Sequence, residues 1–129
     1  MTRWIWLDQQ VALAVHEQSL LQHGGAAGLR DEGLLQSALA RPQQLEAYGE
    51  NIGVTELAAS YTFGIVKNHP FIDGNKRTGF VIGILFLELN GVRFTASENS
   101  ATRAVLDLAA GDLDEAGYAA FLTRNITPS

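Results

Sequence analysis

One apolar segment in the second half of the chain constrains the fold most strongly. The segment from Asn75 to Asn90 is apolar on nearly every face of a helix about 24 Å long, and Gly91 follows it. Its most apolar run, from Gly79 to Leu87, falls far short of the roughly 20 residues that a membrane span requires. A helix without a polar face must be surrounded by other elements. We therefore predict that it is the buried central helix of the protein, and we expect no association with a membrane.

The remaining segments also have helical apolar spacing, and Gly, Pro, Asn and Asp separate them. We predict a first helix from about Asp8 to His23, with one apolar stripe formed by Leu7, Val11, Ala14, Val15 and Leu21. Further helices are predicted from an Asp31 cap to Pro42, from a Thr55 cap to Asn68 before Pro70, from Ser97 or Glu98 to about Ala110, and from an Asp112 cap through Leu122. The stretch from Pro42 to Gly53 is predicted to be a loop, and Trp4 and Trp6 an extended lead-in. The predicted fold class is all-α, a helical bundle forming one domain over residues 1–129.

Composition and charge exclude several classes of protein. The 129 residues include no cysteine, which removes disulfides, thiolate zinc sites and cysteine nucleophiles, and fits a reducing compartment. A formal net charge of −5 argues against direct nucleic-acid binding, because affinity for the phosphate backbone comes from many clustered cations. The start of the sequence, Met1 to Asp8, meets an acid before any apolar run reaches signal-peptide length. We expect a cytoplasmic protein in which any affinity for anions is local.

A loop before the apolar helix concentrates positive charge. Three of the nine cations, which include both lysines, lie within eleven positions, at Lys67, Lys76 and Arg77. The first turn of a helix leaves backbone N–H groups unpaired and carries a partial positive charge, so it stabilises a phosphate. We therefore predict a phosphate site between the third helix and the apolar one.

The residues of this loop suit a phosphate ligand. Gly74 permits close approach of a ligand, and Asn75 adds an amide donor. Arg77 offers a two-pronged guanidinium contact and Lys76 a compact ammonium. These four residues are the predicted phosphate-binding groups.

Two further residues of the loop indicate chemistry beyond binding. Asp73 is an acid among cations, as expected if it holds a divalent ion that the phosphates share, and His69 is a titratable base. Taken singly, Asp-Gly-Asn is an ordinary turn, and a lone histidine after a helix is more often a cap or a core residue. Because folding does not require all of these groups together, their joint presence favours a catalytic site. His16 and His23 could share a helical face, but they have no further ligands, and we expect them at the surface.

The loop resembles the Fic signature, His-x-Phe-x-Asp/Glu-Gly-Asn-x-Arg. Its defining positions are matched by His69, Phe71, Asp73, Gly74, Asn75 and Arg77. The segments 22–25, 28–35 and 37–42 look like the N-terminal half of Doc (death-on-curing) proteins, so the resemblance covers essentially the whole chain. The chain thus resembles the Doc branch of the Fic family, the toxins of toxin-antitoxin modules, and this resemblance implies the Fic fold.

Two departures from the common Fic pattern fit the Doc branch. Lys76 replaces the second glycine of the loop, and Phe80 stands where a second arginine usually follows. That arginine steadies the terminal phosphates when typical Fic enzymes transfer AMP. In Doc-like proteins the Asn-Lys-Arg version is associated with ATP bound in the reverse sense. The resemblance therefore implies an ATP- and Mg²⁺-dependent kinase that phosphorylates a Ser or Thr hydroxyl of a translation protein, elongation factor Tu, and arrests protein synthesis.

The resemblance also implies a role for each residue of the loop. His69 takes the proton of the target hydroxyl, and Phe71 anchors the loop in the core. The implied catalytic residues are His69, Asn75 and Arg77, the implied phosphate-binding residues are Gly74, Asn75, Lys76 and Arg77, and the implied Mg²⁺ ligand is Asp73.

The sequence also bears on regulation and allows two alternative functions. Many Fic proteins carry an inhibitory helix, Ser/Thr-x-x-x-Glu-Gly/Asn, but no Glu-Gly or Glu-Asn step here has Ser or Thr four residues before its Glu. We therefore expect any restraint to come in trans, and the resemblance to Doc toxins implies a small Phd-like antitoxin whose disordered C-terminal segment folds onto the toxin. One alternative is a Fic-type nucleotidyltransferase that adenylylates a protein hydroxyl. The other is a non-catalytic co-repressor that acts by binding its antitoxin.

Overall fold

Helices account for most of the computed structural model, which describes residues 3–129; Met1 and Thr2 lie outside the described residues. The elements in chain order are α1 (Gln9–His23), α2 (Glu32–Tyr48), α3 (Val54–Asn68), α4 (Asn75–Leu89), β1 (Val92–Phe94), α5 (Glu98–Ala110), α6 (Glu115–Thr123) and β2 (Ile126–Pro128). The prediction of a helical bundle is confirmed. The two short strands were not predicted: β1 pairs antiparallel with β2, so that Val92 lies opposite Pro128 and Phe94 opposite Ile126.

α3 and α4 form the core of the bundle. The helix predicted to be central, α4, buries one face that includes Ile82, Phe86 and Leu87, while its Val81 is 37% exposed. α3 is buried more completely, at ten of its 15 residues, because small side chains let its neighbours approach closely. No helix within residues 3–129 has both the length and the apolar character to cross a membrane.

Glycines of α4 bring it against α3. A Cβ added to Gly83 would lie 2.3 Å from Oγ1 of Thr62, and one added to Gly79 would lie 3.2 Å from the carbonyl oxygen of Thr62. The Thr62 hydroxyl donates to the carbonyl of Gly79 at 2.8 Å. The close crossing of these two helices fixes the N-terminus of α4, where the loop begins.

α2 is longer than predicted, because it passes through Pro42 and continues to Tyr48. Proline removes one helical hydrogen bond, which usually ends or kinks a helix. Here tertiary contacts with α3 and α6 hold the helix next to the missing bond. Pro42 is buried, and Arg41 donates to the carbonyl of Ser60 at 3.2 Å and forms an ion pair with Glu115 at 2.9 Å. Only the stretch after Tyr48 is a loop.

Helix starts agree with the predicted caps except at two positions. The carboxylate of Asp8 accepts from Val11 N–H at 3.0 Å and that of Asp31 from Leu34 N–H at 2.9 Å, and Ser97 caps α5. The two misassigned caps are Thr55 and Asp112. The Thr55 hydroxyl bonds that of Thr123 at 2.8 Å, and α3 begins after Gly53. Asp112 N–H donates to the carbonyl of Asp107 in the turn after α5, and Asp114 caps α6 instead.

α1 buries a face that only partly coincides with the predicted stripe: Leu7, just before the helix, is buried, and Val11 and Val15 are half-buried against the core. Its buried residues are Ala12, His16 and Ser19, whereas Ala14 and Leu21 are exposed. The stripe was wrong at Ala14 and Leu21 because α1 also turns a polar side chain inward, His16, which contacts the loop before α4. The lead-in forms a lid on the core: Trp4 and Trp6 lie 6.0 and 5.8 Å from the ring of Phe86, and no strand forms there.

Candidate active site

The loop between α3 and α4 lines a cavity of about 750 Å³. It contributes all the predicted site residues, His69, Asp73, Gly74, Asn75, Lys76 and Arg77. The rest of the lining is mostly apolar, from Phe80, Ile84, Phe94, Ala101, Val105 and Leu106, and it also includes Glu98 and Thr102. The third cation of the sequence cluster, Lys67, does not line this cavity, and its ammonium lies 5.8 Å from the ring centre of Phe63.

Gly74 creates the backbone turn on which the site depends. It has φ 78° and ψ 19°, in the left-handed region, and it is the N-cap of α4. The first intrahelical bond runs from Thr78 N–H to the Gly74 carbonyl at 3.0 Å. The backbone N–H groups of residues 75–77 have no acceptor within the described part of the chain. A helix N-terminus with free N–H groups is an anion site.

Two unpaired cations flank these amides. Lys76 and Arg77 are exposed, and neither forms an ion pair with a carboxylate among residues 3–129. Both charges are therefore available to a ligand in the cavity.

The side chain of Asn75 is not free to bind a phosphate. It is only 3% exposed; its Oδ1 accepts from Phe71 N–H at 2.9 Å, and its Nδ2 donates to the Phe71 carbonyl at 2.9 Å. The second hydrogen of Nδ2 faces Nδ1 of His69 at 3.1 Å. Because both amide hydrogens are used, the side chain has a positioning role in this structure, and only the backbone N–H of Asn75 is open to a phosphate.

This contact determines where a neutral His69 ring carries its proton. The backbone of Phe71 fixes which end of the Asn75 amide is oxygen and which is nitrogen. The nitrogen can only donate, so Nδ1 of His69 must be the acceptor. The proton of the neutral ring therefore lies on Nε2.

Asp73 is held by two backbone amides. Its Oδ1 accepts from Gly74 N–H at 2.8 Å, and its Oδ2 accepts from Ala26 N–H at 3.2 Å. Each oxygen keeps a free lone pair, and the residue is exposed and lines the cavity. Within residues 3–129 no group of three or more His, Cys, Asp or Glu side chains could hold a metal ion. Mg²⁺ is commonly bound by one or two carboxylates together with phosphates, so Asp73 fits that role when a nucleotide is present.

His16 supports the loop from α1, contrary to the expected surface position. It is 5% exposed, its ring stacks on Phe71 at 3.8 Å, and its Nε2–H donates to the Asp73 carbonyl at 2.8 Å. Phe71 is fully buried, as the predicted anchor requires. The other histidine of α1, His23, is exposed as expected.

A second support was not predicted from the sequence. The segment 28–31, between α1 and α2, runs antiparallel to the loop, and Leu29 forms an isolated β-bridge with Phe71. Ile72 N–H donates to the Gly28 carbonyl at 3.0 Å, and Arg30 N–H donates to the Pro70 carbonyl at 2.6 Å. The only sequence signal was that this segment looked like Doc proteins, which assigned it no role.

The helical fold agrees with what a comparison of sequences shows. The chain belongs to the Fic/DOC family, whose sequence profile matches residues 6–87, including the whole loop. The chain is 32% identical over 118 residues to "Protein kinase doc" of Escherichia phage P1, which covers 92% of this chain and 93% of that protein. It is 35% identical to "Toxin Doc" of Mycolicibacterium smegmatis over 95 residues, and this match covers 70% of this chain and 68% of that protein. The resemblance to Doc proteins inferred from the loop is confirmed.

Proposed function

We propose that this protein is a Doc-type toxin that transfers the γ-phosphate of ATP to a Ser or Thr hydroxyl of a protein target. The observation that carries the proposal is the position of His69 in one cavity with the free amides and unpaired cations of the α4 N-terminus. The names of the two relatives, one a protein kinase and the other a toxin, support it.

The phosphate end of the cavity suits the transferring group. In the proposed reaction, the target oxygen bonds to the γ-phosphorus, the bond from that phosphorus to the β–γ bridging oxygen breaks, and ADP leaves. Negative charge spreads over the phosphoryl oxygens in such a transition state. The amides of residues 75–77 and the cations Lys76 and Arg77 are positioned to offset that charge. When bound, Mg²⁺ supplies further charge neutralisation, and Asp73 would hold it.

The mostly apolar wall of the cavity outside the loop suits the rest of the nucleotide. A volume of about 750 Å³ lies within the range of ligand pockets, which are mostly apolar with a few polar groups. Phe80 forms part of this wall, at the position where typical Fic enzymes have the second arginine. An apolar ring there offers no charge to hold the terminal phosphates during AMP transfer, so the structure supports phosphoryl transfer over nucleotidyl transfer.

His69 is the proposed general base. Its tautomer determines which ring nitrogen can accept the proton of the target hydroxyl. The one lone pair of the neutral ring is on Nδ1, where the Asn75 amide occupies it. Before His69 takes the proton of the target hydroxyl, the hydroxyl must displace the amide hydrogen or the ring must move its proton to Nδ1. General-base catalysis of this kind typically contributes about 10²- to 10⁴-fold to the rate.

We further propose elongation factor Tu as the target and a Phd-like antitoxin as the partner. The proposed partner is a small protein whose segment folds onto the toxin and covers the cavity. A co-expressed antitoxin that neither binds the purified protein nor relieves its toxicity would refute the second part.

The test of the proposed function is a transfer assay with two labels. The purified protein and its His69→Ala variant are incubated with Mg²⁺, elongation factor Tu and ATP labelled on either the γ-phosphate or the adenine. We expect the wild type alone to leave the γ-label on the target. Adenine label on the target would establish nucleotidyl transfer instead. Absence of both labels, with equal toxicity of the two proteins in cells, would favour the non-catalytic co-repressor.

A further inference from the structure

Arg30 holds the end of α3 from outside the helix. It lies in the segment 28–31 just before α2, and its Nε–H donates to the His69 carbonyl at 2.6 Å. Its Nη2–H donates to the Asn68 carbonyl at 2.9 Å. These carbonyls lie where a helix ends and has no further N–H groups to offer them. One planar guanidinium therefore bridges two consecutive carbonyls, which a lysine ammonium on a flexible stem cannot do with the same rigidity.

The residue held in this way has an unusual backbone. His69 has φ 52° and ψ 54°, and within residues 3–129 only Asn51 shares a positive φ among non-glycine residues. The left-handed region is unfavourable for a residue with a Cβ, and a following proline favours an extended conformation. Such a conformation persists only where its surroundings impose it, and such residues cluster at functional sites.

The surroundings impose it through one continuous set of contacts. Beyond the guanidinium, the backbone N–H groups of Arg30 and Asp31 both donate to the Pro70 carbonyl, at 2.6 and 3.0 Å. Three successive carbonyls, from Asn68 to Pro70, are thus bound by two neighbouring residues of another segment. On its other side, the ring of His69 is held by Asn75.

We propose that Arg30 is a positioning residue, which fixes the backbone of His69 so that the imidazole lies at the cavity. The effect on rate rests on the proposed function; the effect on the loop does not. Arg30 is exposed and forms no ion pair with a carboxylate in the described part of the chain, so surface charge pairing does not account for its placement.

The alternative is that Arg30 merely stabilises the C-terminus of α3, as a cation there often does. Arg30→Lys separates the two roles, because lysine keeps the charge beside the helix end but loses the bridge. Arg30→Gln removes the charge as well. The control is Arg103→Lys, at an exposed arginine whose carboxylate partner Asp107 lies 3.7 Å away.

We expect Arg30→Lys to melt near the wild-type temperature but to lower kcat about 10- to 100-fold, with little change in KM for ATP. Hydrogen exchange of the Asp31 and Ile72 amides should accelerate about tenfold or more in both Arg30 variants, because these amides donate across the loop. The exchange rates of the α5 amides should stay the same in both Arg30 variants. In the control Arg103→Lys, kcat and all of these exchange rates should stay at the wild-type values.

The two readouts keep this inference separate from the proposed function. If the wild type transfers neither label, the proposed function fails, and hydrogen exchange alone decides whether Arg30 positions the loop. Exchange at Asp31 and Ile72 that is unchanged in Arg30→Lys would overturn the inference even if the protein is a kinase. The inference would also be overturned if the wild type is active and Arg30→Lys keeps full kcat.

Discussion

The amide nitrogen of Asn75 lies 3.1 Å from Nδ1 of His69, and the backbone of Phe71 prevents that amide from turning round. The contact orients the imidazole and also selects its neutral tautomer. The resemblance assigns Asn75 to the phosphate, whereas the structure connects its side chain to the proposed base. Under the proposed function, Asn75 therefore acts on the chemistry through His69.

Asn75→Asp tests this connection. The new carboxylate can only accept, so we expect the neutral His69 ring to move its proton from Nε2 to Nδ1. The variant also loses the bond to the Phe71 carbonyl, which should lower the free energy of unfolding by about 1–3 kcal/mol. Long-range ¹H–¹⁵N spectra of the histidine rings report the tautomer, and His69→Ala assigns the signals.

Asn90→Asp is a matched control for that variant. Asn90 also bridges the N–H and the carbonyl of one residue, Ile5, at 2.8 and 3.1 Å, but it lies away from the loop. We expect a similar loss of stability with no change at His69. The assignment of the proton to Nε2 would be contradicted if the neutral His69 ring of the wild type is protonated on Nδ1. It would also be contradicted if the tautomer does not change in Asn75→Asp.

The two lysines of the chain form a second matched pair. Lys76 lines the cavity and Lys67 does not. Under the proposed function, we expect Lys76→Met to lower kcat about 10²-fold, because it removes one of the charges proposed to offset the transition state. Lys67→Met should stay near wild type in the same γ-label transfer assay. Equal losses in both variants would mean that general positive charge, and not the cavity, is responsible.

Gly74 and Gly111 share a backbone conformation but not a location. Their φ angles are 78° and 85°, and alanine at either position would cost about 1–2 kcal/mol of stability. Only Gly74→Ala should also lower transfer activity, because it disturbs the amides at the start of α4. Chemical denaturation and the transfer assay together check this. A Gly74→Ala variant with wild-type kcat would show that the turn does not position the phosphate.

Local signals made much of this structure predictable. Ser97 before Glu98 marks a helix start through short-range capping, and the apolar run that ends before Gly91 marks the length of α4, so the bounds of α4 and α5 were close to those observed. The candidate site could be found because its residues are contiguous in the sequence.

Contacts between distant segments were not predictable in the same way. His16 reaches the Asp73 carbonyl across 57 positions, and Arg30 reaches the His69 carbonyl across 39. The continuation of α2 through Pro42 depends on contacts of Arg41 with α3 and α6. No local pattern encodes these pairings, because each depends on how two folded elements pack together.

Stability at alkaline pH should depend on Tyr118. Burial raises the pKa of this phenol to about 12, from an ordinary value of 10.0. Between these two values the unfolded chain has lost the proton while the folded protein keeps it. The free energy of unfolding should therefore fall as the pH rises from 10 to 12, by on the order of 2 kcal/mol from this residue.

Denaturation curves across that pH range check the prediction for Tyr118. Tyr118→Phe should flatten the profile, and Tyr48→Phe should not, because Tyr48 is 89% exposed. Part of the slope should remain, since burial also raises the pKa of Tyr61. The same steep profile in Tyr118→Phe as in the wild type would contradict the account.

The central claim is that the γ-phosphate of ATP, and not AMP, is transferred to a hydroxyl of the target protein, with His69 as the general base. The most direct measurement is ³¹P NMR of the nucleotide products during reaction of Mg-ATP with elongation factor Tu, alongside the intact mass of the target. The account predicts one ADP for each phosphoryl group gained by the target, and neither product with His69→Ala. Release of pyrophosphate with a gain of one adenylyl group would contradict it.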